Sequence, residues 1–223
     1  MVRNFIEEFE EILLRYDILD KNDFMGFREN IKNFVLGLNE IELSCEYTKN
    51  GFFHDLSELQ KDIDYETDIF NEYIMGKNQN NKNLGQHFTP KCLNKLMSEC
   101  IEPKMIDGLN VFYEPSGGTG STMFSAIKKF QRENNFCDWN NHLVIHQDLD
   151  LINCTLATLN YALRGINSIV ICGDTLHNKV VYAFQTINYN YGFGFSNISV
   201  FNTKEELERV KKMFLTNYEK DNE

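Results

Sequence analysis

Glycines are concentrated in one short stretch of the chain, YEPSGGTGSTM, at residues 113–123. Glu114 and Pro115 precede three glycines within four residues. Apolar residues lead into this stretch, and an apolar, helix-like run follows it. Dense glycines at the end of a strand allow another group to approach the backbone closely. The stretch therefore predicts a strand–turn–helix in which the turn contacts a bound cofactor.

Acidic residues follow each of three predicted strands. Glu114, Asp148 and Asp174 stand at the carboxyl ends of these strands. The strands are predicted at about 109–114, 142–147 and 168–173. Ligands of parallel α/β sheets bind outside the carboxyl ends of the strands. A carboxylate after the second strand suits a ribose diol, because it can accept two hydroxyl hydrogen bonds.

The glycine turn lacks two common phosphate-binding patterns. A dinucleotide-binding G-x-G-x-x-G would require a glycine at Met123, and no G-K-[ST] follows the turn. A nucleoside cofactor without a pyrophosphate fits better, which points to S-adenosylmethionine. His142 and His146 alternate onto one strand face, but no cysteine pair lies near them, so no metal site is predicted.

A helical segment and a domain of alternating strands and helices would position these residues. Helically spaced apolar residues predict helices over residues 1–75, and the polar stretch GKNQNNKN at 76–83 predicts a linker. We therefore predict a helical N-terminal segment over 1–83 and a cofactor-binding domain over 84–223. Alternating strands and helices in the second part predict an α/β fold with a parallel sheet.

Charge and composition limit the kinds of partner that the protein could bind. Residues 1–80 contain 18 acidic and 8 basic residues, a net charge of −10, whereas the remaining residues contain 15 and 14, a net charge of −1. This acidic bias argues against nucleic-acid binding by the first segment alone. No apolar run reaches membrane-spanning length. Six scattered cysteines without a C-x-x-C pattern predict reduced thiols and a cytoplasmic protein.

Four motifs, in order, resemble those of adenine-N6 DNA methyltransferases, most of all the modification subunit of type I restriction–modification systems. GQHFTP at 85–90 resembles the family's G-Q-[FY]-[FY]-T-P box, and EPSGGTG at 114–120 resembles its D-P-x-x-G-T-G loop. HQDLD followed by LNYALRGI resembles G-x-[DE]-x-[DN] and the family's next helix, and GDTL at 173–176 resembles the motif after it. Glu114 replaces the usual aspartate, Gly117 a common cysteine and His87 a common aromatic residue.

The resemblance implies a Rossmann-like S-adenosylmethionine-dependent methyltransferase fold with a parallel or mixed sheet, reduced at the C-terminus and preceded by a helical segment. It also implies roles for ten residues. The residues that would border the methionine part of the cofactor are Phe88 and Thr89, and those that would form the turn beneath it are Glu114, Ser116, Gly118 and Gly120. The residues that would hold the ribose and the adenine are Asp148 and Leu149, followed by Asp174 and Thr175.

The family's catalytic motif, Asn/Asp-Pro-Pro-Tyr/Phe, is not intact, because no proline follows Pro115. The nearest stretch is Asn188-Tyr189-Asn190-Tyr191, which keeps the asparagine and the terminal aromatic residue. Asn188 and Tyr191 are therefore the candidate catalytic residues. The surrounding sequence is aromatic, β-prone and punctuated by glycines, so it also fits plain strands or a hairpin.

Three functions fit the sequence. The first is an adenine-N6 DNA methyltransferase that requires a partner chain to recognise DNA, since the sequence shows no target-recognition domain. The second is a non-catalytic relative that acts as a regulatory or assembly subunit, with the acidic helical segment as a surface for a protein partner. The third is methyl transfer to another amide or amine. The degenerate motif leaves methyl transfer by this chain open, whereas the GQHFTP box favours DNA over a glutamine substrate.

Overall fold

A computed structural model describes residues 5–20, 26–39, 43–76, 89–134, 141–188 and 196–215. The helices are Phe5–Arg15 (α1), Phe27–Leu36 (α2), Leu43–Lys61 (α3), Ile69–Gly76 (α4), Lys91–Ser98 (α5), Ser121–Asn134 (α6), Leu151–Leu163 (α7) and Lys204–Val210 (α8). The strands are Lys104–Ile106 (β1), Leu109–Glu114 (β2), His142–Asp148 (β3), Ser168–Asp174 (β4), Lys179–Ile187 (β5) and Asn197–Phe201 (β6). Short helical turns at Gly37–Asn39 and Lys211–Leu215 follow α2 and α8.

The described strands form one sheet in the order β1-β2-β3-β4-β5-β6. β2, β3 and β4 are parallel and are connected through α6 and α7. β1 pairs antiparallel with β2, while β5 and β6 continue antiparallel beyond β4. The predicted parallel strands are therefore present as the centre of a mixed sheet.

The strand register places the three acids along a diagonal at one edge of the sheet. Glu114 pairs with His146, and Asp148, two residues further along β3, pairs with Cys172. Asp174 lies two residues beyond Cys172 on β4. Two residues of strand span about 7 Å, so each acid projects that much further than the one before it.

The helical segment packs onto the same side of the sheet as α6 and α7. One hydrophobic cluster joins Phe9, Phe27 and Phe70 from the helical segment with Phe124 of α6 and Val170 of β4. A hydrogen-bonded ion pair adds a polar link, since Arg28 Nη2 of α2 lies 3.1 Å from the carboxylate of Asp150, the residue that caps α7. The division of the chain at residue 83 remains a prediction, and the described parts of both segments share this core.

A smaller hydrophobic cluster packs on the opposite side of the sheet. Val111, Ile145 and Ile171 form a second cluster there with Val210 of α8. Thr203 begins α8 with a reciprocal cap, because its hydroxyl accepts from the Glu206 N–H while the Glu206 carboxylate accepts from the Thr203 N–H. No helix in the described parts of the chain is long and apolar enough to cross a bilayer.

Two details differ from the sequence pattern. The helices predicted over 1–75 are interrupted between α3, which ends at Lys61, and α4, which begins at Ile69. The intervening residues pack against α6 and α7 through polar contacts described below. The predicted linker at 76–83 lies outside the described residues apart from Gly76, which ends α4.

Candidate cofactor site

The glycine turn joins β2 to α6 and is fastened to the end of β3. Gly118 and Gly120 have φ angles of +57° and +94°, in the range that strains residues with a Cβ atom. The Gly117 N–H donates to the Gln147 carbonyl at 3.0 Å. The Gly118 N–H donates to the Asp148 carboxylate at 2.9 Å. The turn and the second-strand acid therefore form one hydrogen-bonded unit.

Asp148 is held from both sides. One carboxylate oxygen accepts the Gly118 N–H, and the other accepts the Asp150 N–H at 2.8 Å and the Asn153 amide at 3.3 Å. A carboxylate offers about four acceptor positions. Three of them are thus used within the protein, and room remains for one strong bond from a ligand hydroxyl.

A pocket of about 320 Å³ opens beside this unit. The described residues that line it are Asn71, Thr89, Asn94, Met97, Glu114, Ser116, Gly117, Gly118, Thr119, Ser121, Thr122, Asp148 and Asn153. Two of these side chains are carboxylates and none is a lysine or an arginine. The lining therefore suits a ligand that carries hydrogen-bond donors or positive charge, and it disfavours a phosphate.

Glu114 has a pKa above its usual range. Burial raises its pKa, and the negative charge of Asp148 raises it further, while the Ser116 N–H opposes both effects. A positive group of a ligand placed near both carboxylates would relieve this repulsion.

His146 lies beneath the glycine turn and is fully buried. Burial lowers its pKa to about 4, although a backbone hydrogen bond with Gly118 acts in the opposite direction. Its Nδ1 lies 2.9 Å from the Tyr161 hydroxyl. A Cβ atom at position 117 would lie 2.3 Å from His146 Cε1, so the imidazole occupies the space that a side chain at Gly117 would need.

The structure brings together five of the residues predicted to bind the cofactor. Thr89, Glu114, Ser116, Gly118 and Asp148 all line the pocket.

The other described residues predicted to bind the cofactor are not among the lining residues. Gly120 lies behind the turn, where an added Cβ would be 3.0 Å from the Tyr161 hydroxyl. Leu149 is 75% exposed beside the pocket's Asp148. Phe88 lies outside the described residues.

Asp174 and Thr175 stabilise the neighbouring turn between β4 and β5. The Asp174 carboxylate accepts the backbone N–H groups of Leu176 and His177 at 3.0 and 3.2 Å, and it lies 2.6 Å from the His177 ring. The Thr175 hydroxyl donates to the Pro115 carbonyl at 2.9 Å. Neither side chain is among the described residues that line the pocket, which agrees with the diagonal placement of the three acids.

The structure does not bring Asn188 to this site. β5 runs antiparallel to β4, so Asn188, directly after β5, lies near the start of β4 and at the opposite end of the sheet from Asp148. Its backbone N–H donates to Asn167 and its side-chain amide donates to the Gly165 carbonyl. The expectation that Asn188 acts at the cofactor is corrected on this geometry, and the strand interpretation of 179–187 and 197–201 is the one observed. Tyr191 lies outside the described residues.

A buried polar network was not foreseen. Asp68, just before α4, is 4% exposed and accepts hydrogen bonds from the hydroxyls of Thr119 and Ser121, in and just after the glycine turn. Asn160 of α7 donates to Asp68 at 2.9 Å and to the Thr119 carbonyl at 3.0 Å. Asp68 also caps α4 through the Asn71 N–H at 3.0 Å. An aspartate before an apolar helical run is a recognisable cap signal, but its contacts with Thr119 depend on the tertiary fold.

Arg164 extends the network toward residues 64–68. Its guanidinium donates to the carbonyls of Tyr65 and Thr67 and to Asn160, and it stacks 3.9 Å from the centroid of the Phe124 ring. Arg164 is 7% exposed, so these bonds satisfy a cation that is largely removed from water. The segment between α3 and α4 is therefore held against the glycine turn by buried polar contacts.

No group of three or more histidine, cysteine or acidic side chains in the described parts of the chain could hold a metal ion. The described lining of the pocket offers carboxylates, amides, hydroxyls and backbone N–H groups.

A match to a known protein family agrees with the observed fold. The pattern of the N-6 DNA Methylase family matches residues 61–221, well over half of the chain, and the chain belongs to that family. The match begins before the predicted linker and includes Asp68. It confirms the predicted fold class, the α/β fold of S-adenosylmethionine-dependent methyltransferases.

A curated relative points to a narrower group. The chain is 29% identical over 122 residues to the "Type I restriction enzyme MjaIX methylase subunit" of Methanocaldococcus jannaschii. The match covers 54% of this chain and 20% of the relative, so the chain corresponds to about a fifth of that subunit's length. No solved structure matches the chain significantly.

Proposed function

We propose that this chain is an S-adenosylmethionine-binding member of the adenine-N6 DNA methyltransferase family, similar to a type I modification subunit. The observation that carries the proposal is the unit formed by the glycine turn and Asp148, joined by the 2.9 Å bond from Gly118 and facing a pocket with two carboxylates. Membership of the family supports the choice of cofactor.

The residues present fit such a cofactor. Asp148 has acceptor capacity for a ribose hydroxyl, and Glu114 supplies a second negative charge beside a cationic sulfonium compound. The turn exposes backbone where a nucleoside would lie, and Leu149 presents an exposed apolar side chain beside Asp148 for the adenine. When bound, S-adenosylmethionine supplies an electrophilic methyl group.

Calorimetric titration with S-adenosylmethionine and S-adenosylhomocysteine tests this binding. We expect Asp148→Ala to weaken both ligands by about 1–3 kcal/mol, because charged hydrogen bonds are lost. Asp174→Ala is the matched control, since Asp174 is an acid at the same sheet edge whose carboxylate bonds to Leu176 and His177 in the next turn, and it should change affinity little. No detectable heat with either ligand, or an equal loss in both variants, would reject the pocket.

Methyl transfer by this chain alone is proposed to be slow or absent. An adenine amine is a weak nucleophile that needs acceptors to orient its hydrogens, and loss of one such contact costs about 100-fold or more in rate. The family motif that provides these acceptors is degenerate, and Asn188 lies at the far end of the sheet. A tritium-methyl transfer assay on mixed DNA tests this, and Asn188→Ala should leave any residual transfer unchanged. A large loss of transfer in a folded Asn188→Ala chain would contradict the proposal.

The degenerate motif and the position of Asn188 also favour a second candidate, a non-catalytic subunit that binds the cofactor or a protein partner and supports a larger assembly. DNA would then be recognised with a partner chain. Transfer to another amide or amine remains the third candidate, and an assay with a glutamine-containing peptide would detect it.

A further inference from the structure

Among the described residues that line the pocket, one belongs to the helical segment at the start of the chain. Asn71 lies in the first turn of α4 and is 8% exposed, yet it lines the pocket together with Thr119 and Ser121 of the glycine turn. The helical segment thus forms part of the pocket wall.

The position of Asn71 is fixed by the buried network. Its N–H donates to Asp68 Oδ1 at 3.0 Å, and the other Asp68 oxygen accepts from Ser121 at 2.7 Å. Asp68 therefore links Asn71 directly to Thr119 and Ser121.

The side-chain amide of Asn71 has unused hydrogen-bonding capacity. No described atom is bonded to its Oδ1, which is buried. An unsatisfied buried amide is unfavourable, so a partner supplied by a ligand would recover free energy. Rotation of the amide can present either its oxygen or its NH₂ group to such a ligand.

The location of Asn71 indicates which part of the ligand it meets. Thr122 donates to Asn94 at 3.0 Å, and Asn94 donates to the Thr89 carbonyl at 3.2 Å. The wall formed by α4, α5 and the start of α6 is therefore neutral and rich in amides and hydroxyls. Asp148 and Asn153 belong to the end of β3 and the start of α7, away from this wall in the chain.

We propose that Asn71 binds the amino-acid end of the cofactor, a zwitterion whose ammonium and carboxylate both match a neutral amide. This inference rests on the proposed function, because it assigns one contact within that same pocket. It makes the helical segment a direct part of the cofactor site.

The test compares two ligands that differ only at that end. S-adenosylhomocysteine carries the amino-acid group, whereas 5′-methylthioadenosine retains the nucleoside and the sulfur without it. We expect Asn71→Ala to weaken S-adenosylhomocysteine by about tenfold, as for one lost hydrogen bond, and to change 5′-methylthioadenosine less than about twofold. The matched control is Glu72→Ala, an exposed neighbour on the same helix, which should change neither affinity.

The outcomes separate this inference from the proposed function. An equal loss for both ligands, or no loss for S-adenosylhomocysteine, would overturn the role of Asn71 while leaving the cofactor pocket intact. Absence of binding by the unmodified chain would instead reject the proposed function. Thermal melting establishes that each variant is folded, and Asn71→Ser, which is expected to show the same selective loss, replaces Asn71→Ala if that variant does not fold.

Discussion

At the scale of single residues, the neutral imidazole of His146 should make the stability of the protein depend on pH. Its pKa falls from 6.5 in the unfolded chain to about 4 in the folded protein because it is buried. The unfolded state therefore binds a proton at a higher pH than the folded state. Its contribution to stability is complete above the unfolded pKa and is lost as the pH falls toward the folded pKa.

We expect the free energy of unfolding attributable to His146 to fall by about 2 kcal/mol between about pH 7 and about pH 5. Urea denaturation at both pH values measures the change. His146→Gln should flatten the dependence by that amount. Equal slopes in the unmodified protein and His146→Gln would contradict the buried, neutral imidazole. Glu114 has a raised pKa, so it contributes with the opposite sign and does not imitate the effect.

The close packing of Gly117 against His146 leads to a second prediction, because the His146 imidazole fills the space beside the glycine. Gly117→Ala would place a Cβ 2.3 Å from His146 Cε1 and 2.7 Å from Glu114 Cγ. We expect this change to cost about 1–3 kcal/mol of stability through overpacking. In the His146→Ala background the same change should cost less, with a coupling of about 1 kcal/mol or more in a double-mutant cycle. Additive effects on the urea midpoints would show that the two positions do not share this space.

At the scale of elements, the segment between α3 and α4 is expected to fasten the helical segment to the glycine turn. Asp68→Ala would leave the donors of Thr119, Ser121 and Asn160 without their carboxylate in a buried site. We expect it to lower the free energy of unfolding by about 2–4 kcal/mol.

Asp64→Ala is the control for that change. Asp64 pairs with Lys91 and Lys128 through a side chain that is 46% exposed, so its removal should cost less than about 1 kcal/mol. Chemical denaturation of both variants measures the difference. Similar small losses in both would show that the buried network is not what holds the segment.

The elements that the sequence predicts well are those with a local signal. The strand-end acids and the glycine turn are read from neighbouring residues, and the structure has β2, β3 and β4 within one residue of their predicted bounds. The Asp68 network was not predicted, because Thr119, Ser121 and Asn160 lie about 50 or more residues from Asp68 in the chain. The place of Asn71 in the pocket wall likewise depends on the tertiary fold. The position of Asn188 was also inaccessible, since the antiparallel direction of β5 is a tertiary property that its β-prone sequence does not encode.

At the scale of the whole molecule, charge should limit DNA binding by the isolated chain. Lys128 of α6 is paired with Asp64 and Glu66, and Lys129 is paired with Glu102. The cations that the sequence offers on α6 are thus neutralised by acids, some of them from the helical segment.

We therefore expect duplex DNA to bind no tighter than about 10⁻⁶ M at physiological salt, the range of non-specific binding. Fluorescence anisotropy with labelled duplexes of mixed sequence measures this. Glu66→Gln should strengthen binding slightly, because it removes one of the two acids paired with Lys128. Sequence-specific binding well below that concentration by this chain alone would contradict the assignment of DNA recognition to a partner.

We propose that the cofactor binds between the glycine turn, the end of β3 and the helical segment. A crystal structure of the chain with S-adenosylhomocysteine, at a concentration well above its measured Kd, tests this most directly. We predict electron density for the ligand in that pocket, with a ribose hydroxyl bonded to Asp148 and the amino-acid group beside Asn71. Density at another site, or an empty pocket in crystals grown from a saturated complex, would contradict the claim.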